Sequence, residues 1–271
     1  MRLPSCFISF FRDKKKFESA ASAADKALAA NPSDCDALLL KGKLLASSGS
    51  FKQAEEIFKA GLLESKDKNL FLFMTADIQF NTGDIKTALE TINGASADYP
   101  HAHLMRGRVY FASDNIEEAE KEYKKAIKSV KKCAEARVGL GGIYVIEGNL
   151  KKAAAEHRAA IAESPNYPDA RSGMGWICYF MEDYKTAEKH FIKSVSLNPT
   201  QPDNYIGLGW VYYKLGRYED AETEFLKASK INSKDPDAFI GLGWSYYQKR
   251  AENRANLLEA ESYFKKAVEL N

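Results

Sequence analysis

Apolar residues recur along this chain at helical spacing, in paired runs separated by short polar breaks. Within 202–235, Tyr205, Leu208, Gly209 and Tyr212 fall at i, i+3, i+4 and i+7. After a break at Gly216 and Arg217, Tyr218, Ala221, Phe225, Ala228 and Ile231 repeat the spacing. This predicts a helix A, a short turn and a helix B. The punctuation agrees. Gly49, Gly83, Gly148 and Gly216 mark turns between the two helices, and Asp235-Pro236 offers an N-cap followed by a first-turn proline. Asn31-Pro32, Ser164-Pro165 and Asn198-Pro199 follow the second helix, where the chain must stop being helical.

The two-helix pattern repeats. Gly107, Gly141, Gly175, Gly209 and Gly243 are spaced by 34 residues, as are Trp176, Trp210 and Trp244, the only tryptophans. A second ladder, Ala20, Ala54, Ala88, Ala119, Ala153, Ala187, Ala221 and Ala260, extends the period over the whole chain. All but the first precede by four residues a larger one: Phe58, Ile92, Tyr123, His157, Phe191, Phe225 and Phe264. Eight units follow: 1-34, 35-68, 69-99, 100-133, 134-167, 168-201, 202-235 and 236-271, the third three residues short and the eighth carrying five extra. A period of this length means stacked supersecondary units, each unable to bury its apolar face alone.

The signature Tyr205, Leu208-Gly209, Tyr212, Ala221, Phe225 and Ala228, with Pro199 closing the preceding unit, resembles the tetratricopeptide repeat. The resemblance covers essentially the entire chain and implies an all-α fold, a right-handed superhelical solenoid of about eight helix-turn-helix repeats in one array. It also implies a concave groove, lined by helix A, that receives peptides. The third unit departs most, with Thr75, Ala76 and Gln79 where Leu, Gly and Tyr are expected, and Asn93-Gly94 is expected to stop its second helix near Ile92 and to change the curvature of the stack. The first unit has Phe7 and Phe11 but Ile8 in place of the glycine.

A hydrophobic content of 45% suits a long apolar ribbon between neighbouring units, and a net charge of +2 calls for neither nucleic acid nor an anionic membrane. Runs such as Lys14-Lys15-Lys16 and Lys124-Lys125 to Lys131-Lys132 read as solvated helix faces and turns. Cys6, Cys35, Cys133 and Cys178 lack metal spacing and point to a reducing, cytoplasmic location, with Cys178 in a core slot. Leu3-Pro4-Ser5-Cys6 looks like the end of a lipoprotein signal, but only five residues precede the cysteine, too few for an apolar region. No stretch approaches bilayer-spanning length, so direct membrane insertion is not expected.

Catalytic and metal constellations are not expected, nor is a cofactor. His101 and His103 are two apart and diverge on a helix, His157 takes the helix B aromatic slot, and His190 beside Phe191 is expected to be exposed. Gly139-Leu140-Gly141-Gly142 imitates a phosphate loop but recurs in register as Gly173, Gly175, Gly207, Gly209, Gly241 and Gly243, which makes it architecture. Each such glycine costs about 1 kcal/mol in a helix. The second of each pair is expected to let helix A approach the alanines of helix B. The first lies elsewhere on the wheel and is expected to deepen a cleft beside each tryptophan.

At about 100° per residue, Asp203, Ile206, Gly207, Trp210 and Tyr213 lie roughly 130 to 150° from the packed face. The equivalent slots give the candidate partner-binding residues: Trp176, Tyr179 and Phe180, Trp210 and Tyr213, Trp244 and Tyr247, with Asp169, Asp203 and Asp237 as an acidic rim that also suits the helix dipole. These aromatics are expected to add little to packing between helices A and B. In the N-terminal units the slots hold Leu39, Lys43, Phe73, Asp77, Phe80, Leu104, Arg108 and Phe111, with no clamp for a terminal carboxylate. The expected function is a non-enzymatic scaffold for a protein or peptide ligand, apolar or proline-rich with basic residues. A glycan-binding module and a self-associating assembly scaffold are the alternatives. RNA binding would need charge that the chain lacks. At the last helix, Phe264, Val268 and Leu270 are expected either to meet further repeats of a longer array or to drive end-to-end association.

Overall fold

The computed structural model describes residues 14–130, 132–251 and 253–270, and these are all-helical. Phe7, Phe11 and Cys6 lie outside the described residues. The chain divides into two compact units, Met1–Leu140 and Gly141–Asn271. The first holds α1 (Lys14–Ala30), α2 (Cys35–Ser47), α3 (Phe51–Glu64), α4 (Lys68–Asn81), α5 (Ile85–Asn93), α6 (Pro100–Ala112), α7 (Ile116–Ser129) and the start of α8 (Ala134–Ile146). The second holds α9 (Leu150–Glu163), α10 (Pro168–Phe180), α11 (Tyr184–Leu197), α12 (Pro202–Lys214), α13 (Tyr218–Ile231), α14 (Pro236–Gln248), a 3-10 turn at Lys249–Ala251 and α15 (Arg254–Leu270).

Local chemistry sets the boundaries. The Asp84, Asn149 and Asp183 side chains accept from the backbone N–H three residues on and start α5, α9 and α11, while Asp235 accepts from Asp237 N ahead of Pro236. Gly49, Gly83, Gly148 and Gly216 turn the chain with φ between +73° and +89°. Asp114 and Glu182 occupy the same turn at φ 59° and 62°, and no glycine announces them. The α5 helix ends at Asn93 as the Asn-Gly pair predicts, yet Gly94 caps it at φ −72°, without the left-handed conformation that usually selects glycine there.

In the first unit, Leu38, Phe58, Phe71, Met74 and Ile78 form one core cluster, and Ala88, Ile92, Met105 and Val109 belong to another. The departures of the third repeat are absorbed by hydrogen bonds. Buried Thr75 donates from Oγ1 to Phe71 O at 2.8 Å. Gln79 donates from Nε2 to Glu55 Oε1 at 2.9 Å and accepts from Thr91 Oγ1 at 2.8 Å. In the second unit, Ile177, Phe191, Val211, Phe225 and Leu242 are fully buried.

Candidate partner-binding face

Four helix B rings, those of Tyr123, His157, Phe191 and Phe225, are each gripped by two glycines. In the second unit, a Cβ at Gly175 or Gly207 would fall within 3.0 Å of the Phe191 ring, and one at Gly209 or Gly241 within 3.0 Å of Phe225. Gly141 and Gly173 do the same for His157, and in the first unit Gly107 and Gly139 for Tyr123. Two expectations are thereby corrected. The nearest neighbour of the second glycine of each pair is the ring four residues beyond the alanine, with Ala153 O also 3.5 Å from the Cβ position at Gly141. The first is no cleft beside a tryptophan: it is the slot for the ring of the preceding repeat, which periodicity on one helical wheel cannot show.

The three tryptophans adopt one repeated pose. Trp176 meets Phe191 edge-on at 5.3 Å between centroids and 83°, Trp210 meets Phe225 at 5.2 Å and 74°, and Trp244 meets Phe264 at 5.5 Å and 76°. Each also stands edge-on to the tyrosine three residues later, Tyr179, Tyr213 or Tyr247, at 5.7, 5.6 and 5.8 Å. The expectation that these aromatics add little to packing is therefore wrong. Such pairs contribute about 0.5–1.5 kcal/mol each beyond burial. Each indole packs on helix B yet is not fully covered: Trp176 and Trp210 are half-buried and Trp244 is 41% exposed.

Further residues fill out this face. Phe180 stacks on Trp176 at 6.1 Å and 27° and remains 53% exposed. Gln248 Nε2 donates to the Tyr213 hydroxyl at 2.7 Å, tying α12 to α14. Burial, with Tyr184 and Tyr213 close by, raises the Tyr179 hydroxyl above its ordinary value of 10.0, which keeps it a neutral donor. Arg250 covers the Tyr247 ring at 4.1 Å, a cation-π contact on a residue that sequence reasoning did not single out. Asp169 and Asp203 are half-buried and Asp237 is exposed, all in the first turns of their helices.

The N-terminal slots are less open than expected. Asp77 and Leu104 are buried, and Asp77 accepts from Arg108 Nη1 at 2.7 Å while the guanidinium lies over Phe80 at 4.6 Å. Among the histidines, His101 packs beside Phe73 and Tyr99, and His103 Nδ1 lies 2.7 Å from Glu122 Oε2. His157 is buried and donates from Nδ1 to Ala170 O at 3.2 Å. His190 is half-buried rather than exposed, its Nδ1 is enclosed without a partner, and burial lowers its pKa. Among the described residues no group of three or more His, Cys, Asp or Glu side chains is placed to hold a metal ion, and no helix is long and apolar enough to cross a membrane.

This repeated geometry has relatives. A search of curated proteins gave no match. Among solved structures, the chain is similar to a tetratricopeptide repeat protein from Parabacteroides merdae ATCC 43184, at 20% identity and TM-score 0.60, over 88% of this chain and 93% of that one. It is also similar to a chain of the APC/C hetero-tetramer Cut9-Hcn1, at 17% identity and TM-score 0.76, over 94% of this chain but only 52% of that one. A third is MamA, at 23% identity and TM-score 0.51, over 60% of this chain and 93% of that one. At these identities the likeness is one of fold alone. A tetratricopeptide repeat family model matches residues 11–78, and one described as cilia and flagella-associated protein 70 C-terminal domain matches residues 68–271. The chain is a tetratricopeptide repeat protein and belongs to the family of cilia and flagella-associated protein 70 C-terminal domains.

Proposed function

We propose that this protein is a non-enzymatic scaffold that binds an extended segment of a partner protein on the face formed by Trp176, Tyr179, Phe180, Trp210, Tyr213, Trp244 and Tyr247. The carrying observation is the repeated pose: three indoles 34 residues apart, each braced edge-on by a helix B phenylalanine and none fully buried. Large, pre-oriented aromatic surfaces lose little side-chain entropy on binding and serve as interface anchors worth about 2 kcal/mol or more each. The first-turn carboxylates of Asp169, Asp203 and Asp237 favour an apolar or proline-rich segment with some basic residues. We read the eight repeats as one array working in a reducing, cytoplasmic setting. The family match supports an association with cilia or flagella.

The test is an array of proline-rich peptides with and without arginine and lysine, probed with the wild-type chain, Trp244→Ala and the triple alanine variant of Trp176, Trp210 and Trp244. Loss of binding by tenfold or more in Trp244→Ala, with cooperative melting retained, supports the reading. Unchanged peptide binding by a still-folded triple variant sinks it. An oligosaccharide titration that quenches tryptophan fluorescence, with no peptide bound, would favour the glycan-binding alternative.

A further inference from the structure

The third repeat lacks the key that fastens its neighbours in the first unit. Phe58 of α3 is seated on Gly42, and Tyr123 of α7 between Gly107 and Gly139. Around α5 the equivalent positions carry side chains, Ala76 on α4 and Met105 on α6, and the residue in the ring slot is Ile92. All three belong to one buried cluster. An aliphatic side chain thus meets side chains where elsewhere a ring meets bare backbone. The helix is also slight. It has nine residues, where α3 and α7 have fourteen, and only Ala88 and Ile92 are buried in it.

The remaining ties of α5 are polar. Thr91 Oγ1 donates to Gln79 Oε1 of α4 at 2.8 Å, and Arg106 Nε of α6 donates to Asn93 Oδ1 at 3.0 Å. Just beyond the helix, Ser96 N donates to Asn69 Oδ1 at 2.8 Å. The first of these bonds is partly buried and the other two are exposed, so water replaces each as it breaks and the net loss is small. Helices α4 and α6, by contrast, also hold each other directly. Asp77 accepts from Arg108 Nη1 at 2.7 Å, and Phe73 meets His101 edge-on at 5.6 Å.

We propose that α5 is an order-disorder joint within the first unit. It detaches and melts as one element while α4 and α6 stay together, and the helices before and after it then reorient without unfolding. Few buried apolar groups and accessible hydrogen bonds put an element at the low end of local stability. A nine-residue helix does not persist in water once detached. The three tryptophans lie in the second unit, so the joint is independent of the peptide-binding reading and is tested without a ligand.

Native-state hydrogen exchange on the intact chain is the first test. Amides of α5 are expected to be protected roughly a hundredfold less than those of α3 and α7, at rates that low urea does not change, because local opening exposes little surface. Thr91→Val removes the link to Gln79 at nearly constant shape. It is expected to speed exchange several-fold in α5 and to leave α3 and α7 unchanged. Leu89→Pro, which breaks α5 from within, is the second test. The variant is expected to keep the protection of α3 and α7. With the native cysteines replaced by alanine, spin labels at the exposed positions Glu56 and Lys121 are expected to give a broader distance distribution in Leu89→Pro than in its parent. Exchange of α5 at the rates of α3 and α7, with the same urea dependence, overturns the proposal, since α5 would then open only with the whole unit. Loss of protection in α3 or α7 on Leu89→Pro, or an unchanged distance distribution, overturns it as well.

Discussion

The ring of Phe225 occupies the volume that a side chain at Gly241 would need. A residue of one repeat therefore dictates the identity of a residue in the next, and the helix accepts a glycine in its interior to make the contact.

That relationship predicts an unusual sign for a glycine-to-alanine change. Alanine gains about 1 kcal/mol of helix propensity, but at position 241 its methyl would displace a fully buried ring, at a cost of about 1–3 kcal/mol for overpacking. Gly241→Ala is expected to lower the urea midpoint. Gly94→Ala, at φ −72° with its nearest atom Thr91 O at 3.3 Å, is expected to leave the midpoint unchanged or raise it.

Asn204 is 1% exposed, and neither its Oδ1 nor its Nδ2 has a hydrogen-bond partner. The equivalent positions hold Ala102, Ala136, Ala170 and Ala238, all fully buried. Removing an unsatisfied buried amide recovers its desolvation cost, about 1–3 kcal/mol. Asn204→Ala is expected to raise the melting temperature by several degrees in a calorimetric scan. A fall would show that the amide makes a bond through water.

His157 gives the fold a pH dependence. Burial pushes its imidazole below the ordinary 6.5, His190 adds to the effect, and the bond to Ala170 O opposes it. The unfolded chain therefore takes up the proton first. Stability is fully present above pH 6.5 and is lost as pH falls toward the depressed folded value. Phenylalanine fills the same slot at 191 and 225. His157→Phe is expected to flatten this part of the stability profile between pH 7 and 5, leaving the parts due to His101 and His190, as followed by urea unfolding at stepped pH.

Asp77 and Arg108 are a buried pair at 2.7 Å, with side chains 2% and 15% exposed. Arg108→Met strands the carboxylate and is expected to cost about 3–5 kcal/mol. Adding Asp77→Leu is expected to return most of that loss in a double-mutant cycle. Additive losses would mean that the pair is not the source.

The sequence by itself determined the repeat, the helix pairs, most turns and which glycine and aromatic positions matter, because a 34-residue period and a 3.6-residue helix leave their marks in one dimension. It also determined the stop at Asn93, though not the conformation of Gly94. Only the tertiary structure decided what the paired glycines touch, since one helical wheel shows a direction but not the neighbour that lies along it. Gly207 therefore read as part of a cleft until the Phe191 ring appeared in its place. The bracing of Trp210 on Phe225, the burial of Asp77 against Arg108 and the enclosed amide of Asn204 were hidden for the same reason: each is a contact between helices, set by packing rather than by spacing along the chain.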